Sequence, residues 1–391
     1  MKKIIIAISS VLLVFLGIFL YFKLRFKLEI TLEEKREIPF DVSFNLKDFI
    51  VESNGIFDDK IESFDKLGNQ NVTLTYKDKY NKERTYSFDV NIIDNEKPII
   101  LANASVTAYV GEDANLLKNV ICADYASDNV KCEVEGSYDI NTLGNYNLKY
   151  VATDESGNIE YQDFVLKVIE RPKESKKSDK KADENYVYFS DILNNYKTDN
   201  TLVGLDVSRF QGDIDFNKVR DAGADFVIIR LGWFVDSEIG LDYNYEKYIK
   251  DAYEAGLKIG LYFYSEARTE DEITKITKFI KDNINYPIDM PIAYDWEDFN
   301  DYNSYKLSLY NFNKLSYLFM DQIKEYGYSP ILYGSKYYMT NFWNPKEYDV
   351  WLAQYYKEVT YEGKYKMWQI TEDGKIDGIN RNVDINIDYN N

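Results

Sequence analysis

Asp295 and Glu297, separated only by Trp296 and preceded by the apolar run Pro291-Ile292-Ala293-Tyr294, are the residues best placed to do acid chemistry. If the run is a strand, alternate side chains share a face, and the two carboxyls stand on one side about 6.5–7 Å apart along the chain. Carboxyls that close disfavour double ionisation, so one pKa rises. The pair then offers a neutral acid able to protonate a leaving oxygen beside a charged carboxylate able to stabilise positive charge. The chain contains no His, which excludes Ser-His-Asp and Cys-His catalysis and His-ligated metals. Proton transfer near neutral pH falls mainly to carboxylates. Two further acids sit in ordered-looking settings: Asp206 in Gly204-Leu205-Asp206-Val207-Ser208-Arg209-Phe210-Gln211-Gly212, and Asp384 in Asn382-Val383-Asp384-Ile385-Asn386.

From Thr201 onward short apolar runs alternate with amphipathic stretches. Leu202–Val207, Phe226–Leu231, Ile259–Tyr264, Pro291–Trp296, Ile331–Tyr333 and Val350–Leu352 read as buried strands. Tyr245–Ala255, Glu270–Asn283 and Ser304–Tyr326 read as helices, and the stretch from Met367 to Tyr389 reads as strand-rich. This alternation predicts a parallel α/β barrel with fewer helices than strands. In such a barrel the site forms at the C-terminal mouths of the strands, where Asp206, Asp295, Glu297 and Asp384 all fall.

The Asp206-Val-Ser-x-x-Gln211-Gly212 opening, the Asp295-x-Glu297 pair, Trp351-Leu-Ala-x-Tyr355, Trp368-Gln369 and the Val383-Asp384-x-Asn386 ending together resemble glycoside hydrolase family 25, the Chalaropsis-type lysozymes. The resemblance covers roughly residues 201–391, in the right order. It implies a modified TIM-like barrel with few helices. It implies an N-acetylmuramidase that cuts the β-1,4 bond between N-acetylmuramic acid and N-acetylglucosamine of peptidoglycan. The implied catalytic acids are Glu297, Asp295, Asp206 and Asp384. Glu297 would be general acid and then base, and Asp295 would support attack by the substrate's own acetamido group, with retention. Tyr264, Tyr333, Trp351, Tyr355, Trp368 and Gln369 are candidate substrate-binding residues, with Trp233 a further aromatic platform. No cofactor and no metal is expected. The alternatives are a chitinase-like N-acetylglucosaminidase and a non-catalytic surface protein that only holds cell-wall glycan.

The remainder of the chain reads as delivery apparatus. Lys2-Lys3 precede an uncharged apolar run, Ile4 to Phe22, that nearly spans a bilayer and has no small-residue cleavage site. Residues 1–27 are therefore expected to be an uncleaved signal-anchor in the cell membrane, with the bulk outside. Residues 28–95 and 96–170 read as two all-β sandwich repeats, since Leu67-Gly68-Asn69 recurs as Leu143-Gly144-Asn145, 76 residues later. The segment Tyr150 to Asn158 resembles that of bacterial immunoglobulin-like surface repeats, and a spacer role is expected. Residues 171–200 are a charged linker and a lead-in to the barrel. Cys122 and Cys132 are read equally as a local disulfide or as two buried thiols. A net charge of −19 argues against a nucleic-acid partner.

Overall fold

The computed structural model describes residues 26–172 and 186–389. The chain separates into two compact units, one ending at Glu96 and the other beginning at Lys97. The signal-anchor expectation falls on residues 1–27, of which 1–25 lie outside the described residues. Among the described residues, no helix is long and apolar enough to cross a membrane.

The sequence repeat is a structural repeat. In the first unit the strands Gly68–Lys77 and Glu83–Ile93 form a long antiparallel hairpin inside a four-stranded sheet. In the second unit Gly144–Thr153 and Ile159–Ile169 do the same, each 76 residues later. The repeated Asp explains why the turns match. Asp78 Oδ1 accepts backbone N–H bonds from Tyr80 and Lys82, and Asp154 Oδ1 accepts one from Asn158. A short acid that satisfies the turn's own amides closes a tight hairpin. Cys122 and Cys132 form a disulfide in the second β domain.

The rest of the second unit is an eight-stranded barrel. Its strands are β1 (Thr201–Val207), β2 (Phe226–Val235), β3 (Lys258–Ser265), β4 (Ile292–Asp295), β5 (Pro330–Ser335), β6 (Val350–Ala353), β7 (Met367–Lys375) and β8 (Val383–Tyr389). Neighbours from β1 to β7 pair in parallel, and β8 closes the ring antiparallel to both β7 and β1. Parallel neighbours need a crossover, whereas antiparallel ones can be joined by a short link. The long helices α2 (Tyr245–Ala255), α3 (Glu270–Asn283) and α5 (Leu309–Glu325) accordingly follow β2, β3 and β4. Short helices α1 (Phe216–Asp221), α4 (Tyr302–Tyr305) and α6 (Lys336–Asn341) follow β1, β4 and β5.

The single helix read over Ser304–Tyr326 is broken in the structure. Lys306 adopts a left-handed φ of 51° after α4, and Ser308 caps α5 by accepting from the Asn311 amide. Two apolar layers hold the barrel. Inward-facing Phe226, Ile228, Ala293, Ile331, Tyr333, Trp351 and Met367 fill its interior, and a larger layer packs between strands and helices. Gly204 is obligatory between them, since a Cβ there would lie 2.3 Å from the Phe226 carbonyl oxygen. The lead-in contributes a helix, Phe189–Tyr196, and a two-residue strand that extends the sheet beside β7.

The second β domain shares part of its apolar core with the barrel. Ile121 and Ala123 belong to the same apolar layer as α5. The Asn303 side chain accepts from the Cys122 amide and donates to the Val120 carbonyl. The loop that follows caps α5 from outside: the Asp124 and Tyr125 carbonyls accept the Leu309 and Tyr310 amides, and Asp128 accepts from Ser308 N and Asn311 Nδ2. The first amides of a helix lack partners inside it, so these bonds meet a real need. Replacing Asn303 by Ala strands a donor and an acceptor together, which costs about 1–3 kcal/mol. The thermal midpoint should fall by about 2–4 °C for each kcal/mol. An unchanged midpoint in scanning calorimetry would show that the docking is incidental.

Candidate active site

At the mouth of the barrel lies a pocket of about 260 Å³ lined by Asp206, Tyr262, Asp295, Glu297, Tyr333, Trp351, Tyr355, Gln369, Glu372 and Asp384. Strand alternation delivers these groups. Ala293 and Asp295 of β4 face inward, while Tyr294 and Trp296 face the outer layer, where the Trp296 indole donates to the Ala267 carbonyl. Asp295 is the last residue of β4 and only 5% exposed. Glu297 stands two residues beyond the strand end and is open to solvent in the pocket.

Asp206, 6% exposed, is held by two donors. Gln369 Nε2 lies 2.9 Å and Asn386 Nδ2 2.7 Å from its Oδ2. Each amide is held in turn. Tyr333 and Tyr355 hydroxyls both donate to Gln369 Oε1 at 2.9 Å, and the Trp351 indole donates to Asn386 Oδ1 at 2.8 Å. These bonds fix which end of each amide faces the acid. Asp295 differs: its Oδ1 is buried and has no hydrogen-bond partner. Arg230 is the cation closest in effect, but its guanidinium is tied to Asp242, with Nε 2.7 Å from Oδ2.

The electrostatics follow from this crowding. Burial pushes the Asp206 carboxyl up to about 6 against the pull of its two amide donors. Asp295 is driven well above the usual carboxylate range by burial, then by Glu297 and Asp206, with Arg230 opposing. Glu297 is raised too: the pocket walls strip much of its hydration although solvent still reaches it, and Asp206 and Glu372 add repulsion. Asp384 is pushed up to about 9 by burial, Asp206 and Glu372. Acids this close share their protons as a set. The set supplies a neutral acid and an anion side by side at neutral pH.

The structure therefore brings Asp206, Asp295, Glu297 and Asp384 into one pocket, together with Tyr333, Trp351, Tyr355 and Gln369. Tyr264 lies outside the lining; it pairs with Asp295 across β3 and β4 and is half-buried. Trp368 also lies outside it. Its neighbour Gln369 faces inward, so Trp368 faces out, buried in the outer layer with its indole donating to the Gln354 carbonyl and Tyr196 packed on its ring. Trp233 likewise does not line the pocket. Tyr262 and Glu372 are site groups that the motif reading did not select, and Asn386, quoted in the ending motif, was given no site role there. Alternation from Asp384 could have found Asn386, and Tyr262 shares the parity of Tyr264.

Residues 205–379 match the family model described as glycosyl hydrolases family 25. This stretch is a family 25 glycoside hydrolase domain. Among curated proteins, the chain is 26% identical over 191 residues to an autolytic lysozyme of Clostridium acetobutylicum, covering 47% of this chain. The match spans 55% of that relative's own length. It is 29% identical over 200 residues to the uncharacterized protein YegX of Escherichia coli (strain K12), covering 48% of this chain and 69% of that one. Among solved structures it is similar to a family 25 glycosyl hydrolase from Bacillus anthracis, at 22% identity and a TM-score of 0.43, over 50% of this chain and 93% of that one.

Proposed function

We propose that this protein hydrolyses the β-1,4 bond between N-acetylmuramic acid and N-acetylglucosamine in peptidoglycan, with retention and with the substrate's acetamido group as nucleophile. The family 25 domain supports the class of reaction. The observation that carries the mechanism is the buried, unpartnered Oδ1 of Asp295 beside Glu297 in the pocket. An orphaned buried acceptor costs stability unless a ligand satisfies it. An acetamido N–H is a donor of the right kind.

Protonated Glu297 gives its proton to the glycosidic oxygen as that bond breaks. The acetamido carbonyl oxygen bonds to the anomeric carbon and leaves an oxazolinium whose positive charge favours the ionised form of Asp295. Glu297, now a carboxylate, takes a proton from water, which opens the ring at the anomeric carbon. Two inversions leave the configuration unchanged. Asp206, locked by Gln369 and Asn386, and Asp384 set the charge of the pair and present acceptors to sugar hydroxyls. Tyr355, exposed at the mouth, supplies aromatic surface for a sugar face, while the buried Tyr333 and Trp351 form the pocket floor and hold the amides that fix Asp206.

The test is digestion of purified peptidoglycan by the full chain, with products identified by mass spectrometry. New reducing ends on muramic acid are expected. Reducing ends on N-acetylglucosamine, or cutting of chitin oligomers in preference to wall, would replace the reading with a glucosaminidase. Binding without any new reducing end would leave a glycan-holding protein.

A further inference from the structure

Glu372 is the acid of the pocket that the mechanism leaves unused. It projects from β7 where the pairing with β8 is irregular, between Thr371 opposite Ile385 and Gly374 opposite Val383. Such irregularities re-aim side chains. Its carboxyl lines the pocket and is exposed to solvent. It acts electrostatically on Glu297, Asp384 and Tyr355, which come from three other parts of the barrel. The lining holds five carboxyls and neither Lys nor Arg. Arg230 bears on Asp295 and Tyr262, but Asp242 already takes its charge. The orphaned Asp295 Oδ1 adds a buried acceptor to the same wall.

Stripped of much of their hydration and crowded together with no cation in the lining, Asp206, Asp295, Glu297 and Asp384 hold their protons more tightly than usual, and such a pocket gains most from a ligand that brings a cation and several N–H donors. We propose that Glu372 forms a subsite for a primary ammonium group on the glycan, so that the enzyme favours wall carrying free amines over wall without them. The inference rests on the peptidoglycan reading above. The muramic acetamido group must stay intact, because it is the nucleophile. The ammonium is therefore that of a neighbouring glucosamine that has lost its acetyl group, or an amine of the peptide stem. Ammonium bound to carboxylate makes charge-assisted hydrogen bonds, and negative potential in a cleft draws cations toward it. The exposure of Glu372 limits the gain to roughly three- to fivefold in kcat/KM, the upper end for a solvated ion pair.

The experiment measures kcat/KM for the full chain and for Glu372→Gln on two pairs of substrates. One pair is peptide-free glycan with glucosamine acetylated or de-N-acetylated. The other is acetylated, peptide-bearing wall with stem amines free or chemically blocked. In the wild type the amine-bearing member should be favoured about three- to fivefold, less so as salt rises. In Glu372→Gln the ratio should fall to about one, and Glu372→Asp should keep part of it. The pair that shows the ratio identifies the source of the ammonium. A changed field on Glu297 alone would alter the pH profile for every substrate and leave the ratios alone. Wild-type ratios of one, or ratios unchanged in Glu372→Gln, overturn the subsite while leaving the hydrolase reading intact. Failure of the wild type to cut any of the four overturns both.

Discussion

Glu297→Gln should reduce turnover of peptidoglycan by about 10²–10⁴-fold or more, with little change in glycan binding. The amide keeps the shape of the side chain and has no proton to transfer. Glu297 is raised by pocket burial and by Asp206 and Glu372. The wild-type rate should therefore hold while Glu297 is protonated and fall as pH rises through its elevated pKa. In the variant that alkaline limb should disappear from whatever activity is left. An aryl glycoside whose leaving group needs no protonation should lose far less on the first step. Near-wild-type turnover of peptidoglycan by Glu297→Gln would remove this residue from the role of general acid.

Asp295→Asn should cost about 3–4 kcal/mol of transition-state stabilisation, or about 10²–10³-fold in kcat, by analogy with the loss of one preorganised stabilising group. The neutral amide can still meet the acetamido N–H, but it brings no charge to the oxazolinium. A thiazoline mimic of that intermediate should inhibit the wild type and bind the variant more weakly. Stability should move the other way. The folded state holds Asp295 well above its ordinary pKa, chiefly by burial. Its contribution to stability is complete below the unfolded pKa and is lost as pH rises through the folded one. A side chain that never ionises escapes that loss, so Asp295→Asn should melt higher than the wild type at neutral pH, with the gap closing in acid. Proton NMR of the first anomer formed by the wild type completes the test. An inverted product would make Asp295 a base for water and remove the acetamido route.

Much of the barrel could be read from its residues because strands and helices leave local periodic marks. Helices Tyr245–Ala255 and Glu270–Asn283 have the bounds that their apolar spacing gives. The first is closed by Gly256 in a left-handed conformation, and the second is opened by the Thr269 and Glu272 capping box. The helix expected over Ser304–Tyr326 fails at Lys306, where no Gly or Pro marks the break. The break exists because loop 124–128 of the β domain supplies caps to α5 across a sequence distance of about 180 residues. No local pattern carries that information.

The sequence alone determined which chemistry was available. A chain without His, with Asp295 and Glu297 two residues apart after an apolar run, relies mainly on carboxyls for proton transfer, and strand alternation places that pair on one face. It also determined the repeat that builds the paired β hairpins, since Asp78 and Asp154 satisfy their own turns. Only the tertiary structure decided which face of each strand meets the pocket. Barrel strands are buried on both sides, so apolar residues occur at both parities and nothing local separates inside from outside. Adjacent Trp368 and Gln369 therefore read alike, yet one packs under helices and the other holds Asp206. Closure of β8 onto β7 and β1 likewise decided that Asp384 and Glu372 stand beside Glu297. Distance along the chain says nothing about that neighbourhood, because it forms only when the ring shuts.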